Sequence, residues 1–395
     1  MITDDLVALV RKIYTPGNQG ESCIPLHRPV FCGSEKNDLA ACIDSNVVSS
    51  VGAGVTSFEK SVAGFSDAKF GVAVVNGTNA LQVALRLVGV ERDTEVITQA
   101  LTFVATCNAI AYLQAQPVFV DVERSTLGMN PEALQAYLEK FAEQRENGCY
   151  NKSTGRRIAA CQPMHTFGHP CRIDQIAAVC QEWGIPLVED AAESLGSYYK
   201  GQHTGSFGRL GVFSFNGNKI ITTGGGGMIV TNDEPLAQRA RHLTTTAKIK
   251  HTYEYDHDEL AYNFRMPNLN ATLGCAQMVQ LSDFILAKRD VAVQYEAFCC
   301  ERGIDFVKEP TYARSNYWLN AVLLQSEAER NEFLKLTNEQ GVMTRPIWKL
   351  MVDLPMYSHC HHDGLPVSRF LECRVVCLPS SVPDSYVRGK GSPIT

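Results

Sequence analysis

From Phe70 to about Thr231, short runs rich in valine and isoleucine alternate with longer stretches of helical period. Strands are expected at Gly71–Val75, Glu95–Thr98, Pro117–Val120, Ile158–Pro163, Pro186–Glu189, Gly211–Phe215 and Met228–Thr231. Helices are expected between them, at about Ala80–Val88, Val104–Leu113, Pro131–Phe141 and Ile173–Trp183. The strand runs are almost continuously apolar, the pattern of strands buried on both faces. Strand–helix alternation of this kind predicts an α/β fold, a mostly parallel seven-stranded sheet with helices on both faces. Ligands of such sheets gather at strand ends.

The flanks read differently. Thr3 to Ile13 is expected to be a helix with Thr3 as N-cap and Asp4 and Asp5 in its first turn, ended by Pro16-Gly17. Residues 17–34 read as extended chain, Ser34–Ser45 as a helix, Ser49 to Gly54 as a flexible loop and Ser57–Phe65 as a further helix. Glu139–Arg157 is hydrophilic and reads as a surface excursion. Beyond about Thr246 the alternation stops. Pro267–Ala297 reads as helix, Ala321–Leu324 and Val375–Leu378 as strands, and Glu327–Gln340 as a helix between them. Two domains follow: a large one over 1–250, including the N-terminal helical segment, and a smaller α+β one over 251–395, joined within Ala247–Asn263.

Composition narrows the function classes. The 395 residues are 45% apolar and 20% charged, with net charge −6. A mildly acidic chain without a basic run has no footprint for nucleic acid or an anionic membrane. No apolar run approaches the ~20 residues of a membrane span, and the N-terminus lacks a signal-peptide core, so a cytoplasmic protein is expected. The 14 cysteines are scattered without a Cys-x-x-Cys pair and are expected to be reduced core residues. His359-Cys360-His361-His362-Asp363 has metal-ligand chemistry, but neighbours in a row cannot all turn to one ion. A polar surface loop, and no metal, is expected there.

The candidate chemistry centres on Leu210–Thr231, LGVFSFNGNKIITTGGGGMIVT. Lys219 lies beyond a strand end, where partial desolvation favours the neutral amine that forms a Schiff base with a carbonyl. Gly224 to Gly227 let the backbone pass close to a bulky neighbour. A P-loop is excluded because the lysine precedes the glycines. Three more strand ends carry candidates. Asn76-Gly77-Thr78 opens a helix and suits an anion. Phe103 offers an aromatic face. Asp190 and Glu193 are acids at the end of a buried strand, costly without a cation. Together they describe pyridoxal phosphate: an aldehyde for Lys219, a ring nitrogen for Asp190, a flat ring for Phe103, and a phosphate for Gly77, Thr78 and Ser214.

The chain also resembles a known family, the DegT/DnrJ/EryC1/StrS aminotransferases of fold-type I, which act on nucleotide-linked keto sugars. The stretches NGTNALQVALRLVGV, TEVITQALTFVATCNAI, PVFVDVERSTLGMNPEAL, PLVEDAAESLGSYYKGQHTGSFG, GVFSFNGNKIITTGGGG and YNFRMPNLNATLG carry the likeness over about residues 24–383. IPLHRPVF, VVSSVG, PMHTFGHPCRID, HLTTTAK, NYWLNA and VMTRPIWKLM are most similar to enzymes that aminate UDP-4-keto-6-deoxy-N-acetylglucosamine, on routes to bacillosamine and legionaminic acid.

The resemblance implies an aspartate aminotransferase-like fold and roles position by position. Lys219 carries the internal aldimine and shuttles a proton. Asp190 pairs with the pyridine nitrogen, Phe103 and Ala192 sandwich the ring, and Gly77, Thr78 and Ser214 hold the phosphate. Glu193 stands where relatives place Gln or His near the cofactor 3-hydroxyl. Asn263 reaches the phosphate from the neighbouring subunit, which implies a homodimer with shared active sites. Ser49, Ser50, Lys248, Arg265, Tyr317 and Trp318 are candidates for sugar or nucleotide contact. Gly225 departs from the family's glutamate. The reaction implied transfers the amino group of L-glutamate to the sugar's 4-keto carbon. A sugar 3-dehydratase, a 3-keto-sugar aminotransferase and a non-catalytic cofactor-binding regulator are the alternatives; Lys219 opposes the first, because that branch resembles one with histidine at this position.

Overall fold

In the computed structural model, residues 2–14 and 23–388 are described; the helix stop expected at Pro16-Gly17 lies outside them. The apolar runs form seven strands: β1 (Phe70–Val74), β2 (Glu95–Gln99), β3 (Gln116–Val120), β4 (Ile158–Gln162), β5 (Val188–Asp190), β6 (Leu210–Ser214) and β7 (Gly227–Thr231). Their ladders give the orders β1-β7-β6-β5 and β3-β2-β4. Parallel bridges from Cys161 to Leu187 and from Met164 to Asp190 join the two halves, so one sheet runs β1-β7-β6-β5-β4-β2-β3. Neighbours from β6 to β3 are parallel, while β7 is antiparallel to both β1 and β6. The return from β6 to β7 carries no helix, and parallel neighbours are usually joined through one, which agrees with the antiparallel pairing of β6 and β7. Every residue of β2 and β7 is buried; the apolar run of β7 needs no partners, whereas Glu95, Thr98 and Gln99 of β2 are hydrogen-bonded.

Helix Asn268–Arg302 spans two cores and ends at Gly303, whose φ of 65° is the left-handed conformation that closes a helix. Its Leu281, Phe284 and Ile285 pack with Phe213 and Phe215 of the large sheet. Its Val291, Tyr295 and Phe298 pack with a second, antiparallel sheet. That sheet contains β8 (Asp305–Phe306), β9 (Asn320–Leu323), β10 (Arg345–Pro346) and β11 (Val375–Leu378), in the order β8-β9-β11-β10.

Three local expectations change. The N-terminal helix, Ile2–Tyr14, was assigned to the large domain, but Leu6, Val7, Val10 and Ile13 are buried with Val322, Val376 and Leu378 of the small sheet. A stripe at that spacing buries one helix face, and only tertiary contact decides against what. Thr3 lies inside the first turn of that helix, not at its cap. The hydrophilic excursion contains a hairpin, Ala142–Arg145 paired with Gly148–Asn151. Asn151, which ends its second strand, and Thr154 beyond it donate to the buried Glu95 carboxylate at 2.8 and 2.7 Å. The His359–Asp363 loop runs along β3: Phe119 N–H donates to the His361 carbonyl at 2.9 Å, and Asp363 accepts from Asp121 N–H at 2.8 Å. It covers a sheet edge that would otherwise leave backbone groups unpaired.

Candidate active site

The chain leaves β6 at Ser214 and returns to β7 through a tight loop. Phe215 N–H donates to Gly226 O at 2.8 Å, and Thr223 N–H to Phe215 O at 3.0 Å. A Cβ on Gly227 would meet the Asn76 carbonyl oxygen at 2.4 Å, so glycine is needed where two backbones touch. A Cβ on Gly225 would meet only Val75 O, at 3.7 Å, so this departure from the family leaves room for a side chain. The loop holds Lys219, whose Nζ lies 3.3 Å from Glu193 Oε1 and 4.2 Å from the centre of the Trp318 ring.

Asp190 ends β5 and is buried. Its Oδ2 accepts from the Thr106 hydroxyl at 2.8 Å and its Oδ1 from Ala192 N–H at 3.2 Å. Burial pushes its acidity down, so its pKa lies above the ordinary range, although those two hydrogen bonds favour the charged form. No cation lies within ion-pair distance of it among the described residues. Glu193, one turn on, is also buried; desolvation pushes its pKa up to about 7, and the charge of Lys219 opposes the rise. Its second oxygen accepts from Phe167 N–H at 2.9 Å.

At the same end of the sheet, just after β1, the helix Gly77–Leu87 begins. Asn76 Oδ1 caps it by accepting from Asn79 N–H at 2.8 Å. A Cβ on Gly77 would meet Ser214 Cβ at 2.9 Å, so the absence of a side chain lets the helix start and the serine share one concave surface. Phe103 precedes the helix Val104–Ala111 and is 48% exposed.

Gly77, Thr78, Phe103, Asp190, Ala192, Glu193, Ser214 and Lys219, expected from the sequence to meet one ligand, all line a cavity of about 950 Å³. Trp318, expected on the substrate side, is also in its wall. The other expectations divide. Asn263, Ser49 and Lys248 are exposed and Ser50 is partly so, and none of them is in the cavity wall. Arg265 binds Glu59 at 2.5 Å and the Ala73 carbonyl at 3.1 Å, and Tyr317 is buried with its hydroxyl accepting from Glu309 N–H at 3.1 Å. Both are occupied inside this chain and away from the cavity, because arginine and aromatic residues in family-like segments also serve packing. Thr106, Phe167, His27, Arg345 and Trp348 are wall residues that sequence reasoning missed. Only Thr106 carried a local signal, a hydroxyl on the otherwise apolar face of a short helix.

The residues present fit pyridoxal phosphate. A buried carboxylate without a cation suits a protonated ring nitrogen. A helix start beside a hydroxyl suits a phosphate, and a lysine shares their cavity.

A family profile described as the DegT/DnrJ/EryC1/StrS aminotransferase family matches residues 32–383. EpsN of Bacillus subtilis (strain 168), named provisionally as a pyridoxal phosphate-dependent aminotransferase, is 37% identical over 362 residues, covering 90% of each chain. GDP-perosamine synthase of Escherichia coli O157:H7 is 35% identical over 357 residues, covering 90% of this chain and 93% of that one. The crystal structure of DesI in the presence of its TDP-sugar product superimposes with a TM-score of 0.81 at 26% identity, covering 94% of this chain and 92% of that one.

Proposed function

The chain belongs to the DegT/DnrJ/EryC1/StrS aminotransferase family and is a pyridoxal phosphate-dependent transaminase of fold-type I, and from that premise we propose its reaction. It moves the amino group of L-glutamate to the 4-keto carbon of a nucleotide-linked 4-keto-6-deoxy sugar, UDP-4-keto-6-deoxy-N-acetylglucosamine, and yields the 4-amino sugar. The observation that carries the chemistry is the buried Asp190 carboxylate, without a cation partner, in the wall that also holds Lys219. The sugar is supported by the subgroup likeness and by relatives named for nucleotide-sugar work.

When bound, the cofactor supplies an aldehyde for amine exchange and an electron-withdrawing ring. Lys219 Nζ would hold the aldehyde and, once freed, take and return the proton at the substrate carbon bearing the amine. Asp190 would keep the ring nitrogen protonated, with Thr106 and Ala192 N–H orienting its carboxylate. Phe103 and Ala192 would flank the ring, and Gly77, Thr78 and Ser214 would hold the phosphate. Asn263, being exposed, would reach a second copy's phosphate in a homodimer with shared sites; Ser49, Ser50 and Lys248 would approach the sugar nucleotide from the same surfaces. The boundary near residue 250 is retained as the functional division, with the N-terminal helix now on the small side. Among the described residues no helix is long and apolar enough to cross a membrane; we place the reaction in the cytoplasm.

The test is a two-stage spectrum. Glutamate should bleach the visible band of the cofactor-loaded protein, and the UDP keto sugar should restore it faster than its GDP counterpart. Restoration by 2-oxo acids but by no keto sugar would contradict the assignment.

A further inference from the structure

We propose that Arg345 and Lys349, at the rim of the cavity, bind the diphosphate of the acceptor while Trp348, between them in sequence, lies against its hexose, so that this strip selects a sugar nucleotide over a free keto sugar. The inference rests on the transaminase reading above, in which one cavity receives the amino donor and the acceptor in turn.

The small sheet builds this rim. β10 is its edge strand and pairs with β11, Arg345 opposite Cys377 and Pro346 opposite Val376. Proline suits an edge, where the ladder asks no N–H of it. The chain beyond is tied down on both sides. Ile347 N–H donates to Val375 O at 3.2 Å, Leu350 N–H to Glu372 Oε1 at 3.1 Å, and Met351 N–H to Ala100 O of the large domain at 3.0 Å. Arg345 to Lys349 therefore form one fixed strip of the cavity wall.

Charge is divided along the depth of the cavity. Its acids, Asp190 and Glu193, are buried, whereas Arg345 and Lys349 are exposed. With Lys219 given to the cofactor, these two are the arginine and lysine left in the wall, and neither forms an ion pair among the described residues. Arg345 Nη1 donates to Asn338 Oδ1 at 3.0 Å and to Thr344 O at 2.9 Å, which fixes the guanidinium and leaves Nη2 and Nε for a ligand. A held arginine fork beside a lysine suits phosphate oxygens. Trp348 is half-buried, its ring centre 6.3 Å from that of Phe103 and 5.1 Å from that of Phe167. Its indole offers a flat apolar face to a hexose.

The acceptor's own shape matches that order. Its keto carbon, C4, must reach the Lys219 end. C1, which carries the diphosphate, lies across the hexose ring from C4, so the phosphates project outward by a ring's width and away from the buried acids. The donor's α-carboxylate is instead one bond from its reacting carbon and stays near the floor.

The test separates the two half-reactions in the cofactor-loaded full chain. Arg345→Gln and Lys349→Gln should each raise the half-saturating keto sugar nucleotide about 10-fold, the scale of one charged hydrogen bond, and leave that of glutamate within about 2-fold. By calorimetry, each should weaken free UDP by the same factor and leave uridine unchanged. Arg345→Lys, which keeps the charge without the fork, should fall between. Trp348→Leu should weaken the keto sugar nucleotide and spare UDP, which has no hexose. Thermal unfolding reports whether each variant is folded, and the two cations are tested independently. A rise in half-saturating glutamate in place of the sugar nucleotide's would assign the cations to the donor's carboxylates and overturn the proposal. Unchanged values for both substrates, or a wild type that binds UDP no tighter than uridine, would overturn it too. A loaded wild type that ignores glutamate would instead overturn the transaminase reading, and the UDP titration would still decide the rim.

Discussion

Lys219 and Lys288 both touch Trp318, and the fold treats them in opposite ways. Lys219 lies in the cavity wall, its Nζ facing the indole ring and one carboxylate. Lys288 is 1% exposed and meets only neutral acceptors: Trp318 O at 3.1 Å, His27 Nε2 at 3.0 Å and the Ser380 carbonyl. Burial alone pulls Lys288 down to about 7. Desolvation by itself thus does not suit a lysine to carbonyl chemistry. Access to a cavity whose wall also holds Asp190, Gly77, Thr78 and Ser214 distinguishes Lys219. Lys288 has the desolvated amine without the access, and its three donors tie the segments bearing His27, Trp318 and Ser380 into one wall.

The largest expected effect is Lys219→Ala, which should abolish turnover and covalent cofactor attachment, measured by single-turnover kinetics and the visible band. Lys288→Met should leave attachment intact; losing it there would erase the contrast. Next is Asp190→Asn, which keeps the Thr106 and Ala192 partners but removes the charge. It should lower the rate of the glutamate half-reaction on the order of 100-fold, the scale of losing one electrostatic contact at a reacting centre. Gly77→Ala should weaken cofactor affinity about 10-fold, because the new Cβ must displace Ser214 from 2.9 Å.

Smallest is a stability effect with a defined sign. Lys288 titrates near 7 in the folded state and near ~10.4 unfolded. Below pH 7 both states are charged and the folded one carries the full burial penalty. Between pH 7 and about 10.4 unfolding takes up a proton, so stability rises with pH through that window. Wild type should therefore gain on Lys288→Met by on the order of 3 kcal/mol between pH 7 and 9.5 in paired denaturant titrations. A constant difference would mean that Lys288 is not buried as described.

The sheet was readable because most of its strands are buried on both faces and leave nearly unbroken apolar runs, β1 and β7 above all. The site was readable because its residues sit where those runs end, as Asp190 and Ser214 do. Partners set by tertiary contact were hidden. Nothing near Thr106 announces that its hydroxyl will hold a carboxylate 84 positions away. Arg265 looked free for a ligand until the fold gave it Glu59. The hairpin at Ala142–Asn151 was masked by polar composition, since its exposed residues carry no alternating apolar face.

The most direct measurement is borohydride reduction of the full chain with pyridoxal phosphate, followed by peptide mapping. One covalent label, on the peptide containing Lys219, with Lys288 unmodified, is the predicted result. A label at Lys288, or no label on Lys219, would contradict the account.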